Sequence, residues 1–162
     1  MARYVEVAQC TSAEETKHLA ARLASCVQPG FVIALNGNLG AGKTQFTQGL
    51  ALGLGVAEAI TSPTFNLLCV YTSGRLPLYH FDVYRLEHAS ELEDVGFYEY
   101  VEADGVSCIE WASKFSDEMP DERLDVYIAQ GSTEDARVVR ACALGTEAQQ
   151  VLDAWLGQVK AL

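Results

Sequence analysis

Eight consecutive residues carry the densest chemistry in the chain. Gly37, Asn38, Leu39, Gly40, Ala41, Gly42, Lys43 and Thr44 fit the spacing G-x-x-x-x-G-K-[ST]. The glycines let the backbone turn successive N–H groups inward, which makes the loop a cradle for a phosphate. A helix opening at Gly42 would aim its unpaired N–H groups and its positive end at the same anion. Lys43, read as an exposed loop cation, would reach β- and γ-phosphates, and the Thr44 hydroxyl would ligate Mg²⁺. The chemistry implied is that of a nucleoside triphosphate.

Two carboxylates are candidates to join it. Residues 106–110, Val-Ser-Cys-Ile-Glu, form an apolar run ending in Glu110. In phosphate-loop proteins a strand beside the loop strand commonly delivers an acid to the metal, directly or through water. Asp82, in Leu-Tyr-His-Phe-Asp-Val-Tyr-Arg at 78–85, is the rival acid. His80 of the same run is read as a packed strand residue rather than a catalytic one. The third candidate is Thr61-Ser62-Pro63-Thr64, a polar loop placed where γ-phosphate-sensing switch loops sit. A turn whose hydroxyls satisfy the local backbone is an equally good account of it.

These residues need elements to position them. Residues 31–35 are apolar, as in a buried central strand, and residues 46–54 form an amphipathic run after the loop. That strand–loop–helix context argues against a mere Gly-rich turn. Upstream, residues 4–8 predict a strand, and Ser12-Ala-Glu-Glu15 is a capping box for a helix that Pro29-Gly30 ends. Downstream, Gly53-Leu-Gly55 is a stop signal, and residues 66–71 and 76–84 read as an antiparallel hairpin. Residues 89–101 predict one or two short helices broken near Gly96. Late strands at 124–129 and 138–144 and a closing helix at 146–159 complete the chain. The whole reads as one α/β domain, residues 1–162, of the phosphate-loop NTPase kind, with helices flanking a mixed central sheet.

Composition bounds the partners. The chain is 49% apolar and 20% charged, with no apolar run near the ~20 residues of a membrane span and no signal-peptide core. Five scattered cysteines without a C-x-x-C pair point to reduced thiols in a cytoplasmic protein. Net charge is −11, and 16 of the 22 acids fall between Asp82 and Asp135, against Arg85, Lys114 and Arg123. Such a surface repels a nucleic-acid backbone and could dock on a basic patch of a protein.

Taken together, G-N-L-G-A-G-K-T, I-T-S-P-T-F, L-Y-H-F-D-V-Y-R-L, E-L-E-D-V-G and I-E-W, in this order, resemble the bacterial TsaE family. The resemblance runs from about Ser12 to Trp111, with weaker support beyond. It implies a Mg²⁺-dependent ATPase of tRNA threonylcarbamoyladenosine biosynthesis that works with two proteins, TsaB and TsaD, and not on tRNA directly. It further implies that Gly37 to Thr44, followed by Gln45, bind ATP, and that Thr44 and Glu110 hold Mg²⁺. Asp82 is then the second active-site acid and a rival metal ligand, Trp111 adjoins the nucleotide, and Thr64 belongs to the switch-like loop. Lys43, Asp82 and Glu110 form the catalytic set. One departure stands out. The family has a Gly closely followed by Arg before its late strand, whereas this chain has Gly131-Ser-Thr-Glu-Asp-Ala-Arg137, which puts a nucleotide contact from that stretch in doubt.

Residue chemistry alone leaves rivals. A GTPase lacks support because no N-K-x-D occurs. A small-molecule kinase needs cationic clamps on both phosphates, and only Arg75 and Arg85 lie near in sequence. A nucleotide-gated binding module would need no competent acid, against Asp82 and Glu110.

Overall fold

The computed structural model describes residues 3–63 and 66–160, so Thr64 of the switch-like loop lies outside the described residues. One seven-stranded sheet runs through the molecule in the order β1-β7-β6-β2-β5-β4-β3. The strands are β1 (Val5–Cys10), β2 (Val32–Gly37), β3 (Leu68–Tyr71), β4 (Leu78–Asp82), β5 (Val106–Glu110), β6 (Arg123–Gln130) and β7 (Arg137–Leu144). Strand β2 is parallel to both β5 and β6, and β4 is parallel to β5. The hairpin β3–β4 and the pairs β6–β7 and β1–β7 are antiparallel, which makes the sheet mixed, as the sequence predicts.

The helices are α1 (Ala13–Ala24), α2 (Lys43–Leu54), α3 (Ser90–Asp94), α4 (Phe97–Val101) and α5 (Thr146–Lys160). Alternation along the strands divides the core. Ile33, Leu35, Leu78, Cys108, Val126 and Ile128 share one cluster with Leu23 of α1, Phe46 and Leu50 of α2 and Trp155 of α5. Val32, Ala34, Phe81 and Ile109 form the other with Leu92 and Phe97 of α3 and α4. Trp155 locks the first layer, its Nε1 donating to Leu19 O at 2.9 Å and its ring meeting Phe46 edge-on.

Local signals act as read in several places. Ser12 Oγ accepts from Glu15 N at 3.2 Å, while the Glu15 carboxylate reaches back to Thr11 N at 2.7 Å. The break between α3 and α4 falls at Gly96, whose φ of 75° ends one helix and opens the next. Gly53 departs from its reading. It lies inside α2, and only Gly55 caps the helix, its N–H donating to Leu52 O. A Cβ at Gly53 would sit 2.5 Å from Ala21 O, and one at Gly49 only 2.1 Å from Lys17 O. The two glycines therefore let α1 and α2 pack backbone to backbone. A short 3₁₀ segment, Ala112–Glu118, lacks a periodic signal in the sequence and follows β5 directly. No helix among the described residues is long and apolar enough to cross a membrane.

Candidate functional site: a phosphate loop facing two carboxylates

The site lies where the parallel strands β2, β4 and β5 end together. Strand β2 runs out at Gly37, the chain loops through residues 38–42, and α2 begins at Lys43. Gly42 takes φ 106°, a left-handed conformation, and gives α2 no side-chain cap. The first N–H groups of α2 thus have no intrahelical acceptor and are available to an anion.

Lys43 corrects its expectation. It is 5% exposed, not an open loop cation, with Nζ donating to Gly37 O at 2.7 Å and Asn38 O at 2.9 Å. The same ammonium lies 4.1 Å from the centre of the Trp111 ring. Burial pushes its pKa down, opposed by the nearby charges of Glu110 and Asp82.

Strand register brings the two acids side by side. Strands β4 and β5 pair with Asp82 opposite Glu110. Burial pushes the Asp82 carboxyl up, and the Glu110 charge adds to this. The Tyr84 N–H, which donates to Asp82 Oδ1 at 3.0 Å, pulls the other way, as does the Lys43 charge. Glu110 is 3% exposed, and the buried His80 imidazole lies 2.5 Å from its Oε2 through Nε2. His80 is packed, as read, but no local pattern in the sequence signals this contact. Trp111, next in the chain, turns away in a left-handed conformation with φ 64°, its N–H held by Leu35 O at 3.0 Å. Its ring stacks on Tyr84 with centroids 4.6 Å apart. This strained residue marks the end of β5 at the cavity mouth.

A cavity of about 390 Å³ brings these groups together. Leu39, Gly40, Gly42, Lys43, Thr44 and Gln45 line one side, with Asp82, Glu110 and Trp111 on the other. Gly37, Asn38 and Ala41 do not line it, but Gly37 and Asn38 supply the carbonyls that hold Lys43.

Two parts of the wall escape the sequence reading. Ala13 and Thr16, at the start of α1, border the cavity, as do Asp135 and Arg137. The 131–137 stretch thus reaches the cavity wall through Asp135 and Arg137. Arg137 Nε donates to Ala41 O at 2.7 Å and Nη2 to Gly40 O at 3.2 Å, so its fork braces the loop. The β6–β7 hairpin makes this possible. Gly37 pairs with Ile128 and Gln130 pairs with Arg137, which returns the arginine to the edge where the loop begins. Arg75, a nominal phosphate clamp, is engaged elsewhere. Its Nη2 donates to Ala24 O and Val27 O at the end of α1.

The residues present suit a magnesium nucleotide. Thr44, Asp82 and Glu110 offer hard oxygen donors around one cavity. Among the described residues no group of three His, Cys, Asp or Glu side chains forms a cage of its own. Mg²⁺ behaves accordingly, using one or two carboxylates and taking its remaining ligands from water and phosphate.

Residues 10–139 match the family described as threonylcarbamoyl adenosine biosynthesis protein TsaE. The chain belongs to the TsaE family. The tRNA threonylcarbamoyladenosine biosynthesis protein TsaE of Bacillus subtilis is 43% identical over 140 residues, covering 86% of this chain and 87% of that one. The protein of the same name from Treponema pallidum is 44% identical over 126 residues, covering 76% and 93%. The crystal structure of Bacillus subtilis YdiB superposes with a TM-score of 0.84 at 34% identity, covering 98% of this chain and 97% of that one. Family membership places the chain in the biosynthesis of threonylcarbamoyladenosine. The matched segment spans both the phosphate loop and Arg137, so the cavity belongs to the family region as a whole.

Proposed function

We propose that this chain binds ATP with Mg²⁺ and hydrolyses it, in support of threonylcarbamoylation of the adenosine beside the tRNA anticodon. It does so by acting on the TsaB–TsaD pair and not on tRNA itself. The observation that carries this reading is the meeting of Lys43 and Thr44 with the Asp82–Glu110 pair in one cavity. The loop and the start of α2 orient the phosphates, and Lys43 answers the charge that develops on them. Bound Mg²⁺ supplies charge neutralisation across the phosphate oxygens. Thr44 and Glu110 hold it, while Asp82 positions a water or shares the metal. Trp111 closes the edge of the site and holds Lys43 against its ring.

The kinase alternative is weakened by the arginines. Arg75 is turned toward helix ends, and Arg137 is spread over loop carbonyls, so neither is placed to clamp an acceptor phosphate. Direct tRNA binding is disfavoured by a net charge of −11. The cavity of about 390 Å³ suits one nucleotide and leaves little space for a second substrate, so the output is a nucleotide-dependent contact. The 61–65 stretch, with Thr64, is the candidate sensor of the γ-phosphate.

The test is ATP hydrolysis by the chain alone and with TsaB–TsaD, each with and without Mg²⁺, and with tRNA as a separate titrant. Weak hydrolysis alone, stimulation by the pair and nucleotide-dependent complex formation are expected. Tight tRNA binding by the isolated chain, or partner binding indifferent to nucleotide, would overturn the reading.

A further inference from the structure

We infer that His80 is a positioning residue for this site: donating from Nε2, it fixes the Glu110 carboxylate toward the cavity. This rests on the reading of Glu110 as the group that holds the metal or its water.

The strand pattern comes first. His80 and Asp82 lie two residues apart on β4 and so share a face of the sheet. In the parallel pairing His80 stands opposite Cys108, and Asp82 opposite Glu110, which places the imidazole diagonally behind the Glu110 carboxylate. His80 is fully buried, and its Nε2 lies 2.5 Å from Glu110 Oε2. It does not line the cavity, whereas Glu110 does. The histidine therefore reaches the chemistry only through the carboxylate.

Among the described residues, the buried His80 Nδ1 has no hydrogen-bond partner. An ionised carboxylate only accepts, so the hydrogen bond to Oε2 needs a ring proton on Nε2. With Oε2 engaged, Oε1 is the oxygen left for the cavity. Glutamate has three side-chain torsions, and a held oxygen removes rotational freedom that would otherwise be lost on each metal encounter. A purely packed residue at this position would require no donor aimed at an acid.

Two measurements test this. In wild-type protein without nucleotide, ¹⁵N-imidazole NMR should find His80 carrying a proton on Nε2; an Nε2 without a proton would overturn the inference without any variant. In the second, His80→Leu keeps the bulk and loses the donor, whereas His80→Gln can keep a donor. We expect His80→Leu to lower ATP turnover on the order of 10- to 100-fold and to raise the Mg²⁺ needed for half-maximal rate, with ATP affinity little changed. His80→Gln should restore most of the rate. In a Glu110→Gln background His80→Leu should add almost nothing, because the histidine acts through that carboxylate. Wild-type turnover in His80→Leu, or full additivity with Glu110→Gln, would overturn the role of His80 while leaving the cavity's function standing. Absence of hydrolysis in the wild type would instead overturn the reading of the cavity.

Discussion

The two sides of the cavity are built in opposite ways. One side is a single run from Gly37 to Gln45, whose shape follows from local backbone conformations and from the helix it opens. The other side takes Asp82 from β4, Glu110 from β5 and Arg137 from β7, the last 97 residues in sequence from the Gly40 carbonyl it touches. The first depends on residue types at fixed spacing. The second depends on register, since a one-residue slip of β4 against β5 would turn Asp82 to the opposite face from Glu110. Substitutions on the contiguous side should therefore alter chemistry with the sheet intact. Those on the assembled side test pairings as much as side chains.

The largest effect should come from the contiguous side. On the proposed function, Lys43→Ala removes the cation that faces the phosphates, and turnover should fall at least ~100-fold. Lys43→Met, which keeps the stem packed beside Trp111, should lose as much and so separate charge from packing. Single-turnover hydrolysis beside a thermal melt checks both. A folded Lys43→Ala protein with wild-type turnover would remove this loop from the chemistry.

The acids come next. Glu110→Ala and Asp82→Ala should keep much of the nucleotide affinity and lose hydrolysis on the order of 10- to 100-fold. Asp82 also has a stability signature of defined sign. Its folded pKa is raised above the ordinary 3.8, first by burial and then by Glu110. The folded chain thus holds that proton more tightly than the unfolded chain. The associated stability is fully present below 3.8 and is lost as pH rises through the folded value. At neutral pH the ionised group is a net cost, so Asp82→Asn should unfold at higher denaturant than wild type. That advantage should shrink as pH falls toward ~4. Urea melts of both proteins at the two pH values decide it; equal midpoints at neutral pH would contradict the burial argument.

What the sequence revealed follows the same division. The loop, the capping box at Ser12 and the break at Gly96 each announce themselves within a few residues, because local backbone chemistry demands them. Asp82 and Glu110 were legible as candidates because both end apolar runs that read as strands. Their pairing was not, since register is a property of two distant strands. Arg137 and His80 were underrated for that reason. The burial of Lys43 was missed because it arises from Trp111, 68 positions further along the chain, and from the loop's own carbonyls. Gly53 departs from a stop signal for another cause, the close approach of α1, which Gly49 shares. Gly49→Ala would force a methyl against the Lys17 carbonyl, which should destabilise by about 3 kcal/mol, at the upper end for overpacking. Hydrolysis per folded molecule should stay close to wild type. A melt unchanged from wild type would mean that α1 and α2 separate freely.

The smallest effect, and the one that most sharpens the contrast, concerns Arg137. Its Nε and Nη2 donate to the Ala41 and Gly40 carbonyls, and Nη1 donates to Glu134 O and Ala136 O, so the side chain ties the β7 edge to the loop. The guanidinium is partly open to solvent at the cavity wall, which limits each bond to the modest end of charged hydrogen bonds. Arg137→Ala should therefore loosen the loop and weaken ATP binding by about fivefold, equivalent to ~1 kcal/mol, with kcat nearly unchanged. Arg137→Lys keeps the charge but cannot reproduce the fork, and should recover only part of the affinity. Titration calorimetry with ATP, beside steady-state kcat and KM, separates the possibilities. A collapse of kcat with affinity intact would mean that the arginine leaves the carbonyls to meet transition-state charge, making the assembled side a partner in the chemistry. Unchanged binding and turnover would mean that the contiguous loop holds its shape without help from β7.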